Sequence, residues 1–177
     1  MRSRTLAREA ALKGLYQLDL RKSVPDGEIE ELLEQEAPQR EARDYARAVI
    51  RGTRKNLERI DGEIAQVAEN WDLARMAAVD RNVLRLAIYE LIFREDIPPA
   101  VAINEAVVIA KKYSTKDSGA FVNGILDQVK NRLAARGELK SLNAAHEEPK
   151  VAAVAGPPGD GTSEETDAAD DPSGEND

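Results

Sequence analysis

The stretch from Ala78 to Phe93 sets Val79, Val83, Leu84, Leu86, Ala87, Ile88, Leu91 and Ile92 around most of the circumference of a helix. A helix that is apolar on nearly every side has to be enclosed, so this one belongs at the centre of a bundle. The rest of the sequence can supply the enclosure. No stretch shows the strict alternation of a half-buried strand, and Pro25, Pro38, Pro98 and Pro99 fall between apolar segments. The expected fold is all-α, a bundle of six to seven helices.

Around that central helix the spacing predicts the following elements. A first helix covers Ser3 to Leu20, with Leu12, Leu15, Tyr16 and Leu20 on one face and Tyr16 set in the core. The turn Ser23-Val-Pro-Asp-Gly precedes a short helix from Glu28 to Gln35. A long helix then runs from Arg40 to Glu69. Its stripe is Tyr45, Val49, Thr53, Leu57, Ile60, Ile64 and Val67, and Gly52 and Gly62 mark points for a kink or a close contact. Asp72 caps a turn at Leu73–Met76. Pro99 opens a helix that runs to Tyr113. Asp117 or Ser118 caps the last helix, which buries Phe121, Val122, Ile125, Leu126, Val129 and Leu133 and closes at Gly137. Asn104 and Asn123 sit in strongly apolar helices and are read as structural amides that bond inside the fold.

Charge is sorted along the chain. The net charge is -8, yet residues 141–177 hold ten acidic side chains against Lys150 alone, which leaves 23 acids and 24 bases in residues 1–140. Residues 1–22 carry Arg2, Arg4, Arg8, Lys13, Arg21 and Lys22 against Glu9 and Asp19, a net of +4. A basic arm of this kind points to a polyanionic partner. Residues 1–140 are expected to form one domain. Residues 141–177, rich in Gly, Pro, Ser, Asp and Glu with no aromatic ring, are expected to be a disordered acidic tail. The tail serves either as a solubilising appendage or as an electrostatic mimic that competes with nucleic acid for the arm.

Several chemistries are excluded by composition. With no cysteine there is no disulfide, thiolate metal site or cysteine nucleophile, and the single histidine, His146, removes His-based triads. No apolar run is long enough to span a bilayer, and no apolar segment follows the basic start as in a secretory signal. The expected location is a reducing cytoplasm. There is no phosphate-cradling glycine motif, and acidic pairs such as Glu30 and Glu31 lie on solvated faces. No enzyme activity, metal or cofactor is expected.

Two constellations suit a polyanion. Arg4 and Arg8 are four residues apart on one face of the first helix, with Arg2 just before it, and guanidinium groups on such a rail suit phosphates and unpaired bases. The same spacing fits an ordinary charged surface. The loop Lys111-Lys112-Tyr113-Ser114-Thr115-Lys116-Asp117 mixes lysines, a ring and small hydroxyls ahead of a helix N-terminus. It fits a phosphate site or an exposed loop in which Asp117 is a helix cap, and Phe121, one turn later, reads as core.

Three blocks together resemble one family. They are Arg8-Glu-Ala-Ala-Leu-Lys-Gly-Leu-Tyr16, then Val79-Asp-Arg-Asn-Val-Leu-Arg-Leu-Ala-Ile-Tyr-Glu-Leu91, then Val101-Ala-Ile-Asn-Glu-Ala-Val107 leading to Asp117-Ser-Gly-Ala-Phe-Val-Asn-Gly-Ile-Leu126. They resemble the NusB family of bacterial transcription antitermination factors over about residues 2–135. The resemblance implies two packed helical subdomains and binding to boxA, a short single-stranded element in ribosomal RNA operon leaders. It implies NusE, a small-subunit ribosomal protein, as partner, and RNA polymerase as the complex served. By position it implies RNA contacts at Arg2, Arg4, Arg8, Lys112, Lys116, Asp117 and Phe121, and partner docking at Asp80. The same domain resembles the N-terminal part of ribosomal RNA cytosine methyltransferases, but residues for their methyl-donor domain are absent. The rival expectation is a protein-interaction module or homodimer whose basic residues are solvated surface.

Overall fold

In the computed structural model, residues 2–140 are described. They form seven α-helices: α1 (Arg2–Leu20), α2 (Asp26–Glu36), α3 (Arg40–Lys55), α4 (Leu57–Val67), α5 (Ala78–Phe93), α6 (Pro99–Tyr113) and α7 (Ser118–Ala135). A short 3-10 turn at Leu73–Arg75 precedes α5. No strand occurs among the described residues. The acidic tail and His146 lie outside the described residues.

α5 is where its sequence puts it. Every residue from Asp80 to Ile92 is buried. α1, α2 and α3 pack on one another, α4, α6 and α7 pack with α5, and α5 also touches α1 and α3. The two subdomains therefore share α5 and a single core. Leu84, Ile88 and Leu91 are completely buried in it, together with Ile60, Ile64 and Leu133 from the neighbouring helices.

The long helix expected from Arg40 to Glu69 is two helices. The break falls at Asn56, with φ -111° and ψ 22°. Its Nδ2 donates to the Gly52 carbonyl at 2.8 Å, and its own N–H donates to the same oxygen at 3.1 Å. A short amide side chain that competes for a backbone acceptor loosens a helix at that turn. Gly52 is also a close contact: a Cβ there would stand inside the Tyr89 ring of α5. Gly62 meets nothing within 4 Å, so it marks no contact. The 3-10 turn is capped as expected, with the Ala74 N–H donating to Asp72 at 3.1 Å.

α7 closes on Gly137 at φ 70°. The Glu138 N–H donates to the Leu133 carbonyl at 2.9 Å and the Gly137 N–H to the Ala134 carbonyl at 3.1 Å, the paired bonds of a Schellman ending.

Four further expectations are corrected. Asn104 and Asn123 are exposed, not buried. The buried amide of the fold is Asn82, whose Nδ2 donates to Asp19 at 2.9 Å and to the Ala78 carbonyl at 2.8 Å. Tyr16 is 36% exposed and Leu20 54%, while Asp19 between them turns to α5 and accepts from Arg81 and Asn82. Arg8, placed on the exposed rail with Arg4, is 2% exposed. Helical drift accounts for this: Arg8 sits beside Ala7 and Ala11 on the packed side, whereas Arg4 lies on the margin.

Candidate nucleic-acid interface

α1 begins the interface. Arg2 is exposed. Arg4 donates from Nη1 to Asp96 at 2.9 Å, and its guanidinium lies 4.5 Å above the Tyr45 ring. Arg94 reaches the same ring at 4.7 Å and forms a two-pronged pair with Asp96, both bonds 2.9 Å. Hydrogen bonds from Arg94, with help from Arg4, hold the Asp96 carboxyl down at about 2. Two arginines thus share one carboxylate and one ring, and this cluster keeps a positive excess at the surface.

Arg8 lies beneath that cluster. Its Nε donates to Glu90 at 2.8 Å, and the Tyr45 hydroxyl donates to the same carboxylate oxygen. Glu90 is fully buried, and its second oxygen has no partner. Burial pushes the Glu90 carboxyl up, although Arg8 and the Tyr45 hydroxyl oppose it. Burial, followed by the Glu90 charge, also pushes the Tyr45 hydroxyl up. Arg8 is a structural cation, joining α1 to α5.

Side chains of α6 reach across to α1 and bring the lysine loop to it. Thr5 donates to Glu105 at 3.2 Å. Lys112 donates from Nζ to Glu9 Oε1 at 2.8 Å, and the Tyr113 hydroxyl donates to Glu9 Oε2 at 3.0 Å. Hydrogen bonding to Glu9 raises Lys112 above its ordinary value, so it stays charged. Arg4 and Lys112 therefore flank one helix pair. Glu9, which joins α1 to the loop, carries no sequence signal beyond its position.

The loop that follows opens a cavity of about 410 Å³. Trp71, Arg75, Met76, Asp80, Asp117 and Phe121 line it. Trp71, the only tryptophan, is 58% exposed and stands edge-on to Phe121, with ring centroids 5.6 Å apart. Phe121 is half-buried against the core, with its ring at the cavity wall. Lys116 is exposed in the loop before Asp117. Asp117 holds the N-cap position of α7 but makes no capping bond, which corrects the expectation of a cap. Ser118 takes over the turn. Its Oγ accepts from the Thr115 N–H at 3.2 Å and donates to Asp80 Oδ2 at 3.1 Å. The Asp117 carboxylate is left in solvent. Asp80, in the first turn of α5, is 9% exposed, and its Oδ1 has no partner.

The family model described as the NusB family matches residues 5–131. The chain belongs to the NusB family. A relative named transcription antitermination protein NusB, from Ruminiclostridium cellulolyticum, is 40% identical over 144 residues, which cover 81% of this chain and 96% of the relative. A solved NusB from T. maritima is 45% identical, with a TM-score of 0.69, covering 76% of this chain and 95% of that one. A structure of the antitermination factors NusB and NusE in complex with dsRNA superposes at TM-score 0.68 and 32% identity, covering 75% of this chain and 98% of that one. The NusB fold accounts for the seven helices, and membership places the chain among non-enzymatic antitermination factors.

The site residues expected from sequence thus fall into three groups. Arg2, Arg4 and Lys112 border the α1–α6 pair, Asp117, Phe121 and Asp80 gather at the cavity with Lys116 exposed in the loop next to Asp117, and Arg8 is interior. Sequence reasoning passed over Trp71, Arg75 and Arg94. For Trp71 a signal was present: a lone tryptophan in the polar turn Asn70-Trp71-Asp72 has no apolar neighbour to bury it.

Proposed function

We propose that this protein binds single-stranded boxA-type RNA of ribosomal RNA operon leaders together with NusE, and so serves RNA polymerase in antitermination in the cytoplasm. The observation that carries this reading is the exposed Trp71 set edge-on to the half-buried Phe121 at a cavity lined also by Asp117, whose loop neighbour Lys116 is exposed. Unpaired bases stack on rings, while an ionised carboxylate accepts from an exocyclic amine. Arg2, Arg4 and Lys112 supply phosphate contacts. Asp80, with an unpartnered oxygen at the same cavity, is assigned to NusE. The similar structure of NusB and NusE in complex with dsRNA supports NusE and RNA as the partners.

The test is fluorescence anisotropy of boxA RNA with and without NusE. Phe121→Ala is expected to weaken binding by about 1–3 kcal/mol, the worth of one stacked base. Arg2→Ala with Arg4→Ala is expected to lower the salt slope by about 0.7 for each phosphate left unneutralised. Equal affinity for boxA and a scrambled RNA would overturn the proposal.

A further inference from the structure

α3 carries arginine at 40, 43, 47, 51 and 54, spacings of three and four that align them along one side of the helix. The first part of the row is occupied. Arg43 donates to the Pro38 carbonyl at 3.0 Å, and Arg47 bonds Glu30 through Nε at 2.8 Å and Nη2 at 2.6 Å. The second part is not. Arg51 and Arg54 are exposed and form no ion pair among the described residues; Arg54 reaches only the Leu18 carbonyl, at 3.5 Å. Lys22, just after α1, is exposed and likewise forms no ion pair among the described residues.

These three cations border one groove of about 770 Å³, set between the end of α1, the start of α2 and the second half of α3. Its floor is apolar, made by Leu18, Val24, Ile29 and Ile50. Two acids line it, and Glu30 is taken by Arg47, which leaves Asp26 alone against Lys22, Arg51 and Arg54. The groove is a positively charged concavity that the fold leaves unneutralised. Planar guanidinium groups offer paired donors matched to phosphate.

We propose that this groove is a second RNA site, which takes the phosphodiester backbone of the strand flanking boxA, with the apolar floor receiving a ribose or an unstacked base. It rests on the boxA reading of the first interface. Arg4 and Leu18 are fourteen residues apart on α1, a rise of about 21 Å, so a strand held at the start of α1 reaches the groove within a few nucleotides. An acidic peptide helix is a poorer fit, because it needs a seam of anchors over successive turns and the floor offers only a patch.

The experiment compares boxA RNA with the same element extended by unstructured nucleotides at both ends, in salt titrations of the full chain with NusE. The wild type is expected to bind the extended RNA about tenfold more tightly, with a steeper salt slope. Lys22→Gln/Arg51→Gln/Arg54→Gln is expected to abolish that advantage and lower the slope by about two, while the short RNA binds both proteins equally. The single Arg51→Glu is the second variant, expected to act in the same direction. Indistinguishable curves for wild type and both variants on extended RNA would overturn the proposal. If short boxA fails to bind the wild type, the boxA reading fails by itself, and the groove is judged on extended RNA alone: different slopes sustain it and equal slopes reject it. Abolished poly-glutamate binding in the variants with RNA binding intact would also overturn it, in favour of an acidic protein.

Discussion

The Arg8–Glu90 pair shows how one residue type can serve two roles in one helix. Arg4 and Arg8 share spacing and charge, but Arg8 is 2.8 Å from a carboxylate with no exposure, whereas Arg4 is at the surface. Removing Arg8 alone strands a buried charge and is expected to cost about 3–5 kcal/mol in urea denaturation. Arg8→Met with Glu90→Leu removes both charges and is expected to recover most of that stability. RNA binding by Arg8→Ala therefore has to be read against its unfolding curve. Asp96 behaves differently. Its folded value of about 2 lies below the unfolded value of about 3.9, so its ionised form stabilises the fold above about pH 4 and that contribution disappears as pH falls toward about 2. Asp19 shifts the same way: burial raises it, but bonds from Arg81, Asn82 and Arg85 bring it below its ordinary value. Asp96→Asn is expected to flatten the fall of the urea midpoint between about pH 4 and about pH 2, measured by circular dichroism.

At the scale of the helix, period determines most of what is seen. α5 begins and ends at the residues its apolar wrap predicts, and α6 runs from Pro99 to Tyr113 for the same reason. The single helix expected across α3 and α4 failed because its stripe continues through the break. A helical stripe reports which side is buried, and cannot report that Asn56 bonds back to Gly52. The two glycines separate these effects. Gly52→Ala drives a methyl into the Tyr89 ring and is expected to destabilise by about 1–3 kcal/mol, while Gly62→Ala, with open space around it, is expected to stabilise by about 0.5–1 kcal/mol. Thermal melts of the two variants check both signs.

For the molecule, the shared helix governs cooperativity. α5 packs against α1 and α3 on one side and α4, α6 and α7 on the other, with Leu84 fully buried. Leu84→Ala is expected to cost about 2–5 kcal/mol and to shift the unfolding of both halves together. Two separated transitions, seen by Trp71 fluorescence against Tyr hydroxyl absorbance, would contradict a common core. The bundle also decides which surfaces remain available. It brings the side chains of α6 to α1, places Trp71 beside Phe121, and leaves the end of the α3 arginine row facing a groove.

The order of residues by itself determined the all-α class, the central helix, most helix limits and the family, because apolar period, proline placement and short motifs are local properties of a chain. It also pointed to Lys116, Asp117 and Phe121 as neighbours, since they lie within two turns of one another. Only the tertiary structure decided that Arg8 is enclosed while Arg4 stays at the surface, that Asp117 does not cap α7, and that Trp71, far away in sequence, forms the other wall of the cavity. Burial and pairing depend on which distant helix arrives opposite a side chain, and a periodic pattern carries no record of that partner.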